Sequence, residues 1–187
     1  MKPAAFLLAC ALVLAAPDAV EGQWSIRAGG SGAGWIGEDY SRLQVGGQLD
    51  GGIGYSVTET LLVGGSVGLG RFGYQGRGEV ATLSDVGLNL TWRALRLAGG
   101  TVYGLTGAGL TWLSLSDDVE VDQSGWTTGV GAGFLLPLTE AIELDLSGRW
   151  LLQDMGNSSL DGEEIPNSGS FGSRWVLRAG ILVSVGE

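Results

Sequence analysis

Apolar and polar residues alternate with a period of two through most of the chain, and that alternation defines its elements. In the segment that begins at Leu43, one face carries Leu43, Val45, Leu49, Ile53, Tyr55 and Val57, and the other carries Gln44, Gln48, Asp50 and Ser56. The same split recurs in Val86, Leu88, Leu90 and Trp92 against Gly87, Asn89, Thr91 and Arg93. It returns in Ile142, Leu144, Leu146, Trp150 and Leu152 against Glu143, Asp145, Ser147, Arg149 and Gln153. A final segment sets Trp175, Leu177, Ala179, Ile181, Val183 and Val185 against Arg174, Arg178, Gly180 and Ser184. One face is oily and the other is polar or glycine. The pattern predicts strands at 23–31, 43–57, 61–74, 80–93, 101–114, 125–136, 141–153 and 173–186. Strands of this length cross a bilayer at a tilt, and eight is the smallest common closed barrel.

The connections follow a rhythm of their own. Tight turns are predicted at Thr58-Glu59-Thr60, from Ala94 to Gly100 and from Pro137 to Glu140, and longer polar loops at 32–42, 75–79, 115–124 and 154–172. Short turns at one end and long loops at the other describe an all-β, eight-stranded antiparallel up-and-down transmembrane β-barrel, with turns and both termini in the periplasm. The large aromatics divide into two bands. Trp24, Tyr55, Trp92 and Tyr103 fall at the turn ends of their strands, and Tyr74, Trp112, Trp126, Trp150 and Trp175 fall at or near the loop ends. Two girdles at headgroup level are the expected arrangement, because an apolar ring there keeps its polar edge in water.

The first 22 residues stand apart from this pattern. Lys2 precedes thirteen apolar residues, Ala4 to Ala16, and then Pro17, Asp18 and small residues. That is the order of a secretion signal, too short for a spanning helix, and cleavage is expected before Gln23. Residues 1–22 are therefore read as the signal and 23–187 as one barrel domain. Cys10, the single cysteine, superficially resembles a lipoprotein box but is expected to leave with the signal, so the mature chain is held by its sheet and by no disulfide.

Composition narrows the partners. The formal net charge is −10, with ten Lys+Arg against twenty Asp+Glu, which argues against nucleic acid. Outer-membrane lipid, the barrel-assembly machinery and a surface ligand of loops 32–42, 115–124 and 154–172 are the expected partners. The 35 glycines follow no G-X-Y period and are interleaved with Val, Leu, Ile and Trp, which excludes collagen and ordinary disorder.

The stretch WTTGVGAGFLLPLTEAIELDLSGRWLL, Trp126 to Leu152, resembles a hairpin of the small outer-membrane barrels related to OmpA and OmpX. The resemblance is one of residue types across the mature chain; it implies an architecture and no activity. The sequence ends Val183-Ser184-Val185-Gly186-Glu187, where that family commonly has a final aromatic, and a barrel without OmpA's peptidoglycan-binding domain is expected. Arg178, Gly180, Val183 and Val185 still match the spacing of a barrel-assembly signal.

Candidate chemistry is sparse. Gly32-Ala33-Gly34-Trp35-Ile36-Gly37 fits G-x-G-x-x-G, but Glu38-Asp39-Tyr40-Ser41 follows with no helical period and the wrong charge for a pyrophosphate. The chain has no histidine, so a serine nucleophile lacks its usual base and no Cys/His set exists for zinc; no cofactor is expected. Glu143 and Asp145 are a possible acid and base pair, but they share a face with Arg149 and read better as ion-pair partners. Asp117, Asp118, Glu120 and Asp122, and then Asp161, Glu163 and Glu164, form acidic groups without a calcium-loop spacing.

The candidate site is the lumen. Arg27, Asp50, Asp85, Arg93, Glu143, Asp145, Arg149 and Arg178 occupy the polar phase, four cations against four anions, and are expected to neutralise one another with Arg149 or Arg178 near Glu143 or Asp145. The functional expectation is a non-enzymatic outer-membrane barrel with a side-chain-filled lumen, structural or acting through its loops. The alternatives are a narrow channel or small-ligand carrier, and a soluble ligand-binding barrel with its oily face inward.

Overall fold

The computed structural model describes residues 23–37, 40–74, 80–116, 121–160, 163–166 and 168–185. The expected signal with Cys10, the loop 75–79, and Asp117, Asp118, Glu120 and Asp161 lie outside the described residues. The strands are β1 (Trp24–Ile36), β2 (Leu43–Ser56), β3 (Leu61–Tyr74), β4 (Val80–Leu97), β5 (Gly100–Ser116), β6 (Val121–Pro137), β7 (Ile142–Met155), β8 (Ser159–Leu160), β9 (Glu163–Glu164) and β10 (Ser170–Val185). Eight of them, β1 to β7 and β10, pair with their sequence neighbours in antiparallel register, and β1 pairs with β10 to close the ring. Closure leaves none of these eight strands with an open edge.

Several boundaries differ from those the sequence predicts. The segment 32–36 is strand, not loop: β1 continues against β10 as far as Ile36↔Ser173. Glycines there carry no side chain to signal the alternation, yet their backbones keep the ladder. β4 runs on to Leu97 because a bulge between Arg93 and Leu95 shifts the side-chain phase, which makes the end of the strand read as a turn. The 154–172 segment, expected to hold no strand, contains the short β8/β9 hairpin, which pairs with β6 through Val121↔Leu160 and Asp122↔Ser159.

Two of the tight turns use the same device. In Thr58-Glu59-Thr60-Leu61 the Thr58 Oγ1 accepts from Leu61 N at 3.0 Å, and in Thr139-Glu140-Ala141-Ile142 the Thr139 Oγ1 accepts from Ile142 N at 3.0 Å. The third places Gly100 at φ +155°, where an added Cβ would collide with Leu135 O, so only glycine serves there.

The oily face points outward. Leu49 is 73 % exposed, Val45 67 %, Leu69 65 % and Leu177 63 %, values that only an apolar solvent would reward. A soluble ligand-binding barrel requires the opposite polarity. One member of the predicted oily face departs: a bulge between Leu43 and Gly46 turns Leu43 inward, where it packs against the lumen core.

Candidate functional site: the lumen

The inward phase of the strands builds four layers along the barrel axis. Sequence alternation predicts a polar lumen throughout, but its loop end is apolar. Ala33, Phe72, Ala81, Leu83, Leu113, Met155 and Val176 form a buried cluster there, joined by Trp35 and by Tyr40 from the segment after β1. Tyr40 stacks on Trp35 with ring centroids 4.5 Å apart, Phe72 meets Trp35 edge-on at 5.7 Å, and the Tyr40 hydroxyl shares a 2.9 Å hydrogen bond with Ser170. This plug requires bare backbone opposite its rings: a Cβ at Gly172 would meet the Tyr40 ring at 2.5 Å, and one at Gly46 the Phe72 ring at 2.5 Å. Trp35, Tyr40 and Phe72 have no part in the predicted lumen, because two of them fall in an expected loop and the third sits among glycines.

Below the plug lies a hydrogen-bonded layer centred on Asp85. Its Oδ2 accepts from Arg174 Nη2 at 2.8 Å and from Gln48 Nε2 at 2.9 Å, and its Oδ1 accepts from Thr111 Oγ1 at 2.7 Å. Arg174, only 1 % exposed, also lies over the Trp35 ring at 5.4 Å and so joins the polar layer to the plug. It is absent from the predicted network although it stands four residues before Arg178, on the same face of β10. Period two alone could have found it.

The next layer centres on Asp145 and Asp50. Arg178 donates from Nε to Asp50 Oδ1 at 2.5 Å and from Nη1 to Asp145 Oδ2 at 2.6 Å. Arg27 Nε lies 3.2 Å from the same Asp145 oxygen, and the Tyr103 hydroxyl donates to Asp145 Oδ1 at 2.5 Å. Thus Arg178 and Asp145 meet, as one of the expected pairings has it. Glu143 instead pairs with Arg93 at 3.7 Å, at the partly exposed turn end. Arg149, counted among the neutralised charges, has no carboxylate partner among the described residues, and its buried Nε makes no hydrogen bond. Beyond this layer Tyr103, Leu105, Leu135 and Leu182 form a second apolar cluster that closes the turn end.

Between the layers remains a cavity of about 110 Å³, faced by Gln48, Asp50, Asp85, Arg149, Arg174 and Arg178 among others. A wider lipid-side depression of larger volume is a shallow dip over glycines and alanines of β1, β6, β7 and β10.

The aromatic bands divide accordingly. Trp24 and Tyr55 are cross-strand partners 5.1 Å apart at the turn end, where Trp92 is also exposed. Trp112, Trp126 and Trp150 are exposed toward the loop end, and Trp175 lies flat over Gly34 on the outer wall. Two aromatics are not on that wall. Tyr103 is fully buried in the lumen, and Tyr74 takes the inward phase of Phe72, lining a recess with Tyr40 and Leu115. Parity explains the first: Tyr103 and Trp112 lie nine residues apart on one unbroken strand, so they face opposite sides.

Among the described residues, no group of three or more acidic side chains is placed to hold a metal ion. Asp122 belongs to β6, and Glu164 accepts from Asn157 Nδ2 at 2.6 Å.

This architecture is found in solved structures. Neisserial surface protein A superposes with a TM-score of 0.67 at 16 % identity, over 86 % of this chain and 96 % of that one. A major outer membrane protein from Thermus thermophilus gives 0.56 at 19 % identity, over 88 % and 100 %. Ail, the attachment invasion locus protein of Yersinia pestis, gives 0.51 at 20 % identity, over 87 % and 99 %. At these identities the likeness is one of fold. No curated protein matches the sequence. Residues 4–165 match the family described as the outer membrane protein beta-barrel domain, most of the chain, so this protein belongs to that family and is a barrel of the outer membrane.

Proposed function

We propose that this protein is a non-enzymatic outer-membrane barrel with a closed lumen, whose work is structural or is done by its loops. The observation that carries this reading is the stacking of closures along the axis. An aromatic plug, two ion-pair layers and a second apolar cluster succeed one another, with a cavity of only about 110 Å³ among them. The carboxylates named as a possible acid and base pair are both engaged, Glu143 by Arg93 and Asp145 by Arg178, Arg27 and Tyr103. Side chains held in this way fill and brace a barrel of this size.

In this reading the turns and both termini face the periplasm and the loop end faces outward, with lipid around the apolar wall and the barrel-assembly machinery reading the last strand. A surface ligand would meet the connections at the loop end rather than residues 32–36, which belong to β1 and form part of the barrel wall.

Planar-bilayer recording tests the reading. The purified, folded barrel should give no steady conductance; a reproducible single-channel current would overturn the closed lumen and establish the narrow channel in its place.

A further inference from the structure

We propose that the central cavity of the lumen binds one small monovalent inorganic anion of the halide class, held by guanidinium N–H groups of Arg149, Arg174 and Arg178. The first ground is charge. The buried and half-buried inward positions carry five arginines, Arg27, Arg93, Arg149, Arg174 and Arg178, against four acids, Asp50, Asp85, Glu143 and Asp145. Each acid is engaged by at least one arginine, and Arg149 is the cation left over. An uncompensated charge in a closed barrel is costly, and water can satisfy its N–H groups without supplying the missing charge.

The second ground is hydrogen bonding. Arg149 Nε, Arg174 Nε and Nη1, and Arg178 Nη2 are buried donors with no acceptor. Arg174 is 1 % exposed and Arg178 5 %, so bulk solvent does not serve them. Arg149 stands opposite Val176 in the β7/β10 register, which sets its depth between those of Arg174 and Arg178. All three side chains line the same cavity.

The third ground is size and valence. A cavity of about 110 Å³ exceeds the ~10–15 Å³ that one water requires, and so has room for a halide ion. One excess cation calls for a single negative charge. A divalent anion would overshoot it, and Asp50 and Asp85, which also face the cavity, would repel the surplus. The inference rests on the closed lumen: a current in planar bilayers would defeat that reading, whereas absence of bromide from the cavity of a non-conducting barrel would defeat the anion site alone.

The test uses the folded mature barrel in detergent micelles. Its thermal unfolding midpoint is measured in sodium chloride, bromide and gluconate at equal ionic strength, and bromide is located by anomalous scattering in crystals of the same protein. The midpoint should be higher in both halides than in gluconate, the difference should saturate with halide concentration, and Arg149→Gln should abolish it. A bromide peak should stand within hydrogen-bond distance of Arg149 and of Arg174 or Arg178. Equal midpoints in the three salts, a difference that grows without saturating, or its persistence in Arg149→Gln would overturn the proposal. If that variant does not fold, the wild-type crystal decides: no bromide in the cavity overturns the site whatever the salt dependence.

Discussion

The Tyr103 hydroxyl on β5 donates to Asp145 on β7 at 2.5 Å, passing over the intervening strand where Gly133 offers no side chain. A lumen acid is thereby tied to a strand two places away in the ring. Tyr103→Phe keeps the ring and removes the donor. Because the acceptor is a carboxylate, the barrel should lose about 1.5–3 kcal/mol. Urea midpoints for folding into lipid vesicles measure this, and an unchanged midpoint would show the bond to be dispensable.

Gly133 is the other half of that arrangement. A Cβ there would collide with Tyr103 Cζ and stand 2.7 Å from Leu146 O. Gly133→Ala should cost roughly 1–3 kcal/mol through overpacking. In a Tyr103→Ala background the ring clash disappears and the backbone contact remains, so the alanine should cost less there; additive effects would refute the steric account.

Two arginines of the lumen should differ sharply in what they contribute. Arg178→Gln strips a partner from both Asp50 and Asp145 and should destabilise by about 3–5 kcal/mol. Arg93→Gln breaks a 3.7 Å pair whose side chains are each about a fifth exposed, so the change should stay within about 1 kcal/mol. Parallel urea titrations of the two variants compare them directly, and similar losses would mean that depth in the lumen does not govern these pairs.

Leu88 lies on the outward face, near the middle of β4, between Gly65 and Ala108 of the neighbouring strands. Leu88→Arg should impair folding into bilayers by about 2–4 kcal/mol if the position meets the midplane. Full folding yield at the wild-type urea midpoint would contradict lipid contact at this position.

Period two makes the wall of the barrel legible, because each strand meets lipid on one side and protein on the other, and its polarity therefore reverses at every residue. It is a poorer guide to the contents of the lumen. Leu83, Leu113, Met155 and Val176 face inward beside Asp85 and Gln153, since a closed ring buries oil as readily as paired charge and the loop end uses the former. Trp35 is hidden in a run of glycines that reads as loop. Tyr103 is misplaced for a simpler reason: its parity along β5 already fixes which way it faces, whereas nearness to a strand end suggests otherwise; Arg174 stands on the correct face and is only left out of the network. Bulges near Leu43 and Arg93 leave no trace in the alternation that could be told from a strand end, as an extra residue does not alter composition.

The aromatic plug also bears on the order in which the barrel is completed. β1 and β10 are the two ends of the sheet, joined across more than 150 residues of chain from Trp24 to Val185, so their zipping closes the largest loop in the molecule. Tyr40 meets Ser170 and Gly172, and Arg174 lies over Trp35, so these contacts all cross that one seam. The segment around Tyr40 therefore has nothing from β10 to settle on while the cylinder is still an open ribbon. Its docking is a latch that only the finished ring provides.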